Sequence, residues 1–248
     1  MKLPLQKKLT SCLKLAELIF FPSQCELCSR LLEHSEERVI CRSCLRGLKP
    51  RRTPSFCLCC GRFFDDSGEP HFCRECVRQR PAFSVHRSCG PYFGRLKDTI
   101  ILFKYRGFSV LSKPLAAFVL QALGKEESLW WGVDCIIPVP LFPEKQKKRG
   151  FNQASELAKE LARKKGTPLL GGYLIKVKNT PAQTSLEASE RRKNLKGAFA
   201  VVQERKIKGK TVLLVDDVYT TGSTIEECSS ALIEAGALEV RALTIAQA

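Results

Sequence analysis

No run of 18 apolar residues occurs in the 248-residue chain, so no membrane-spanning helix is predicted. Acidic residues are scarce beside basic ones, 25 Asp and Glu against 41 Lys and Arg, which leaves a formal charge of +16. That excess suits polyanions: phosphorylated metabolites, nucleic acid or an acidic partner. A solvated basic surface would give the same count. Histidine is sparse, and His34, His71 and His86 lack ligand-like spacing. They read as surface or packing groups, not catalysts. No small-residue cleavage site follows the basic residues Lys2, Lys7 and Lys8. Residues 5–20 instead place Leu9, Cys12, Leu13, Ala16, Ile19 and Phe20 on one helical face, an amphipathic helix docked on the rest of the protein. The basic flank alone supports the alternative of a peripheral membrane helix.

Cysteine is abundant, with thirteen in all. Eight are regular. Cys25-x2-Cys28 is followed after twelve residues by Cys41-x2-Cys44, and Cys57, Cys60, Cys73 and Cys76 repeat that pattern with a shift of 32 residues. Each knuckle offers two thiolates to one ion, and two knuckles complete a four-sulfur zinc site. The absence of a signal peptide argues against a secreted disulfide framework. Such closed sites are structural and fold a module too small for its own core. Sequential ribbons (25/28/41/44 and 57/60/73/76) are preferred to an interleaved cross-brace. Cys12, Cys59, Cys89, Cys135 and Cys228 read as small core residues or spare thiols. The cysteine periodicity stops at Arg80-Pro81, so the expected organisation is an N-terminal helix over 1–20, a zinc module over 21–80 and an α/β domain over 81–248.

Within 81–248 the central stretch is residues 211–224, TVLLVDDVYTTGST. Val212 to Val215 reads as a buried strand of a parallel sheet, ending at Asp216 and Asp217. Thr220, Thr221, Gly222, Ser223 and Thr224 then lead into a helix that stops at Gly236. Ligands bind at the carboxyl ends of strands in open α/β sheets. A hydroxyl- and glycine-rich loop at a helix start offers N–H groups and a positive helix end to a phosphate. The two aspartates are placed to accept bonds from sugar hydroxyls. The stretch therefore reads as a sugar-phosphate pocket, against the alternative of a strand, turn and helix with a polar cap.

The flanking segments alternate strand and helix, the pattern of a doubly wound parallel sheet. Strands are predicted within 83–93, 133–141, 173–177, 199–202 and 238–245, the last closing the sheet. Helices are predicted from Leu96 to before Gly107, over 111–123 and over 154–165. Lys104-Tyr105-Arg106-Gly107 could meet phosphate, although a basic helix end also complements the helix dipole. Lys145, Lys147, Lys148 and Arg149 lie just past a strand end, on the same sheet edge as Asp216, and are placed to receive a second phosphate group. Arg149 is preferred among them because Gly150 lets the backbone turn beside it.

The paired acids and Thr-Thr-Gly turn resemble the PRPP-binding loop of type I phosphoribosyltransferases. Together with the four knuckles, Ile137-Pro-Val-Pro140, Arg149-Gly-Phe-Asn-Gln153, Thr180-Pro-Ala-Gln183, and Arg191 with Asn194, they resemble the ComF (ComFC, GntX-like) family from about residue 20 onward. The resemblance implies a zinc module before a type I phosphoribosyltransferase domain that uses magnesium and displaces pyrophosphate from PRPP. Asp216 and Asp217 would hold the ribose hydroxyls, Thr220 to Thr224 the 5′-phosphate, and Arg149 and Arg191 the pyrophosphate. It also implies a cytoplasmic protein of natural competence, brought to the inner face of the membrane by partners, with single-stranded DNA and a ComFA-like helicase among them. Other members are tied to sugar uptake. No base-recognition motif or general base for an acceptor is visible, so a non-catalytic DNA-binding adaptor with PRPP only as a ligand is the alternative.

Overall fold

The computed structural model describes residues 23–32, 37–51, 55–65, 68–179 and 195–248. They fall into two compact units, one ending at Lys49 and the other beginning at Pro50. The expected helix over 5–20 lies outside the described residues, as do Cys12 and His34. Among the described residues no helix is long and apolar enough to cross a membrane.

The smaller unit carries the first cysteine repeat and the short helix α1 (Arg42–Arg46). The larger unit carries the second repeat and α2 (Arg74–Arg78). The two repeats share several backbone bonds at equivalent positions. Cys25 N–H donates to the Arg30 carbonyl as Cys57 N–H does to Arg62, each at 2.8 Å, and Glu26 to Val39 matches Leu58 to His71 at 3.0 Å. Ser29 occupies a left-handed conformation (φ 57°), and its counterpart 32 residues on is Gly61 (φ 65°).

The remainder of the larger unit is built on a four-stranded parallel sheet of order β1-β6-β5-β2. Its strands are β1 (Val85–Ser88), β2 (Cys135–Pro138), β5 (Thr211–Tyr219) and β6 (Glu239–Gln247). Between them come α3 (Gly94–Tyr105), α4 (Ser112–Leu123), α5 (Glu127–Trp130), α6 (Pro143–Arg149), α7 (Gln153–Lys165) and α8 (Ser223–Glu234). Val212 to Val215 are fully buried, as expected for a strand covered on both faces. Val212 and Leu214 share one core with Ile225, Cys228 and Leu232 of α8. Leu213 and Val215 point the opposite way, toward the side where α7 packs on β2 and β5 and α4 packs on α7. The sheet is thus wound on both faces.

Two local expectations are corrected. The last strand does not close the sheet: β6 lies between β1 and β5, and β1 and β2 are the outer members. The segments 173–177 and 199–202 do form strands, β3 (Leu174–Lys176) and β4 (Phe199–Val201), but they pair antiparallel in a separate two-stranded sheet. Their pairing is non-local, so periodicity within either segment carries no sign of it. The basic run, for which no element was predicted, forms the helix Pro143–Arg149. Pro143 sits at its first turn, Lys147, Lys148 and Arg149 complement its C-terminal dipole, and Gly150 (φ 82°) provides the left-handed cap.

The second repeat is anchored on β1 through close backbone approach. A Cβ at Gly61 would lie 2.5 Å from the His86 carbonyl oxygen, and the φ is positive besides. Gly61→Ala is therefore expected to destabilise the protein by about 1–3 kcal/mol. Thermal unfolding of the zinc-loaded chain checks it, and an unchanged midpoint would show that the knuckle and β1 are not in register as described.

Candidate functional site

The ends of β2 and β5 are level because Pro138 pairs with Val215 and Val139 N–H donates to the Val215 carbonyl at 2.9 Å. The segments leaving the two strands therefore meet at one sheet edge. Asp216 and Asp217 do not come after β5 but belong to it, since β6 continues to Gln247 and pairs Asp216 with Thr244 and Tyr219 with Gln247. The strand period turns their side chains to opposite faces.

Asp217 is buried, and its Oδ1 lies 2.8 Å from the Lys104 ammonium at the end of α3. Burial disfavours the Lys104 charge, but the carboxylate more than compensates, so the pKa of the ammonium is raised. Asp216 is partly exposed and accepts the Asp217 backbone N–H at 2.8 Å. Burial of its carboxyl, reinforced by the Asp217 charge, pushes it up to about 7. The two neighbours thus differ: Asp217 is neutralised by a cation, whereas Asp216 shares its proton with water near neutral pH.

Both acids line a cleft of about 560 Å³. Lys145 and Arg149, one helical turn apart on α6, form a basic wall of it; Lys147 and Lys148 point elsewhere and are exposed. Arg149 donates to the Gln153 side-chain oxygen at 3.1 Å and lies over the Tyr105 ring at 5.1 Å. Asn152 holds this loop. Its oxygen caps α7 by accepting the Ala154 N–H (3.0 Å), and its amide donates to the Val139 carbonyl (2.9 Å). Gln153, fully buried, donates to the Lys104 carbonyl at 3.2 Å. The Arg-Gly-Phe-Asn-Gln block is thus one cation plus the clamp that aims it.

The loop after β5 divides. Thr220, Gly222 and Thr224 line the cleft with the acids, whereas Thr221 and Ser223 face a smaller cavity of about 250 Å³ beside the second repeat. The Thr221 and Ser223 hydroxyls are 2.9 Å apart. Gly222 (φ 78°) is the N-cap of α8, and a Cβ there would strike the Tyr219 ring. Arg191 lies outside the described residues, with Asn194 and the 180–183 turn. Lys176, which no sequence pattern placed, also lines the cleft, carried there by β3, with its ammonium 5.3 Å from the Phe199 ring.

The cysteines form two groups, 25/28/41/44 and 57/60/73/76, each with its four sulfurs within 4.8 Å of one another. This is the sequential arrangement, not the cross-brace. A tetrahedral zinc–thiolate centre with bonds of about 2.3 Å has S···S edges of about 3.8 Å. Cys28 to Cys41 measures 3.7 Å and Cys60 to Cys73 measures 3.8 Å. Cys41 N–H and Cys73 N–H donate to the sulfurs of Cys25 and Cys57 at 3.4 and 3.3 Å, which favours thiolate. The donor sets fit zinc, and both are closed, so the metal is structural. Cys59, Cys89, Cys135 and Cys228 are buried outside these groups, and burial pushes their thiols up. His71 is exposed and stacks on Phe64, while His86 is fully buried.

The raised Asp216 carboxyl makes stability depend on pH. Its folded-state pKa, about 7, lies above the usual value of 3.8. Between those values the native state holds a proton that the unfolded state has lost, so this group makes stability fall as pH rises. Asp216→Asn removes that loss. It is expected to stabilise the protein near pH 8 by on the order of 2 kcal/mol, with the gain vanishing below about pH 4. Denaturant titrations across that range check it, and a destabilised variant near pH 8 would contradict the assigned environment.

Residues 146–248 match the phosphoribosyl transferase domain family, and residues 17–77 match the double zinc ribbon domain family. Competence protein F of Haemophilus influenzae is 35% identical over 174 residues, covering 69% of this chain and 76% of that protein. Competence protein ComFC of Streptococcus pneumoniae is 31% identical over 160 residues, covering 64% and 67%. DNA utilization protein YhgH of Escherichia coli K12 is 36% identical over 108 residues, 44% of this chain and 47% of that protein. With a parallel sheet of the type I phosphoribosyltransferase kind behind two tetra-cysteine zinc ribbons, and with this likeness over most of its length, the chain belongs to the ComF family.

Proposed function

We propose that the cleft binds PRPP with magnesium and that the protein serves natural competence, as the names of its relatives suggest. The observation that carries the reading is the meeting of two unlike carboxylates, a hydroxyl-bearing helix start and the cations of α6 in one cleft. Asp216 and Asp217 accept bonds from the ribose 2′- and 3′-hydroxyls. Thr220, Gly222 and Thr224 at the start of α8 receive the 5′-phosphate, whereas Thr221 and Ser223, assigned to it by the loop pattern, face the neighbouring cavity. Arg149, with Lys145 and Lys176 beside it, faces the pyrophosphate, and Arg191 is assigned the same role from the family pattern. Magnesium, where it accompanies PRPP in the cleft, would supply charge neutralisation for the leaving group. The protein groups orient the sugar and stabilise charge as the bond to the anomeric carbon breaks.

Calorimetric titration of Mg-PRPP into the zinc-loaded protein tests this. The double variant Asp216→Asn/Asp217→Asn is expected to lose affinity by roughly 100-fold and Arg149→Ala by roughly tenfold, the sizes associated with charge-assisted hydrogen bonds. Folded protein that takes up no PRPP would end the reading. Turnover is tested separately by PRPP-dependent pyrophosphate release with nucleobases, amines or nucleic acid as acceptors.

A second reading, a DNA-binding adaptor for a helicase of the ComFA kind, is favoured by the charge of +16 and by the exposed Tyr105 ring under Arg149 at the cleft. Basic residues interleaved with exposed aromatics suit single strands. Affinity for an oligodeoxythymidine is then expected to fall steeply between low and moderate salt, weakening for Tyr105→Ala; salt-insensitive or absent binding would exclude it.

A further inference from the structure

The second zinc ribbon touches the sheet through an edge that faces the loop after β5. The His86 backbone N–H donates to the Cys59 carbonyl at 2.7 Å. The His86 Nδ1 lies 2.8 Å from the Cys60 carbonyl, and Nε2 lies 2.9 Å from the Thr244 hydroxyl on β6. A carbonyl only accepts, so Nδ1 carries the proton, and Nε2 faces the Thr244 hydroxyl, which also lies 3.1 Å from the Ala246 carbonyl. Arg87 donates to the Leu58 carbonyl at 3.1 Å. Three successive carbonyls of the knuckle, at residues 58, 59 and 60, are therefore held by two residues of β1.

The other side of the imidazole is occupied as well. It stacks on the Tyr219 ring, with centroids 4.1 Å apart and planes at 22°. Phe83 closes the group edge-on to Tyr219 at 6.5 Å. Tyr219 is the last residue of β5, directly before Thr220, and its ring lies so close to Gly222 that no side chain fits between them. A second tie runs from the segment after the ribbon, where Ala82 N–H donates to both Glu226 carboxylate oxygens in the first turn of α8. The chain of contact is continuous: Cys60, His86, Tyr219, Gly222.

We infer that His86 and Tyr219 are positioning residues through which the zinc-bound second knuckle fixes the conformation of the Thr220–Thr224 loop. The metal orients Cys60, and the Cys60 carbonyl orients the imidazole. The imidazole presents a flat face to Tyr219, and Tyr219 forms the floor on which Gly222 turns. The second ribbon is on this account part of the support of the loop. That this support changes ligand affinity rests on the phosphate-loop reading above; the coupling itself does not.

The experiment measures amide hydrogen exchange of peptides covering 216–224 in the full-length, ligand-free protein, with zinc content determined in parallel. Tyr219→Leu removes the stacked ring and leaves every cysteine in place. It is expected to keep two zinc ions and to raise exchange at 220–224 roughly tenfold, the size set by losing a contact worth one buried hydrogen bond. His86→Phe keeps a stacked ring but removes both side-chain bonds, and a comparable rise is expected. Cys73→Ser, which opens the second site, should raise exchange in the same peptide. In the His86→Phe background it should add less than it does in the unaltered protein, because only the Ala82–Glu226 tie then remains. Peptides from β6 must remain protected, which separates loop opening from unfolding. Unchanged exchange at 220–224 in Tyr219→Leu with both zinc ions retained would overturn the inference, as would additive effects of Cys73→Ser and His86→Phe. Mg-PRPP titration of the same variants then asks whether the opened loop binds more weakly. Failure of the unaltered protein to bind PRPP would defeat the ligand reading and leave the exchange result standing.

Discussion

Parallel pairing of β5 with β2 on one side and β6 on the other is the constraint on which the cleft depends. Pairing Pro138 with Val215 brings the ends of β2 and β5 to one height, and the proline turn, α6 and Asn152 all hang from the first of these ends. The length of β6 fixes the rest, because its ladder runs to Gln247 and keeps Asp216 and Asp217 within a strand. A strand alternates its side chains, so two adjacent acids face opposite sides of the sheet. Here one meets the Lys104 ammonium and the other the open cleft.

That geometry divides the labour between two chemically identical groups. Asp217 has a buried counter-ion at 2.8 Å. Asp216 has none as close among the described residues, and burial raises it to about 7, a value at which a bound cation or a hydroxyl donor would decide its state. Without a ligand such a carboxyl lowers stability, as is typical of sites kept ready for a partner. The helix α6 adds the opposite charge on a rigid element, with the Arg149 guanidinium held by the Gln153 side chain and the Tyr105 ring.

Much of this was legible in the chain itself. Eight cysteines at a 32-residue repeat specify two four-sulfur centres, and an apolar run closed by two acids and Thr-Thr-Gly specifies a buried strand leading into a helix. Local periodicity placed α3, α4 and α7 within a residue or two. What it could not place were features fixed by partners distant in sequence. Lys176 enters the cleft only because β3 pairs with β4 across some twenty residues. The position of β6 inside the sheet comes from crossover topology, which no local pattern encodes. Asn152 and Gln153 read as motif letters, whereas their work as cap and clamp becomes visible only with the Val139 and Lys104 carbonyls beside them.

The two cysteine repeats differ tellingly at a single position. Ser29 and Gly61 are equivalent, both left-handed, and a serine adopts that conformation at modest cost in the first repeat. In the second, the His86 carbonyl lies where a Cβ would be, so the same backbone tolerates only hydrogen. The repeat therefore sets the fold of each knuckle, and Gly61 records the close approach of the second knuckle to β1. A glycine that replaces a tolerated serine in one copy of a duplicated module is thus a physical sign of contact. It points to the ribbon whose carbonyls hold His86 and, through Tyr219, reach the loop after β5.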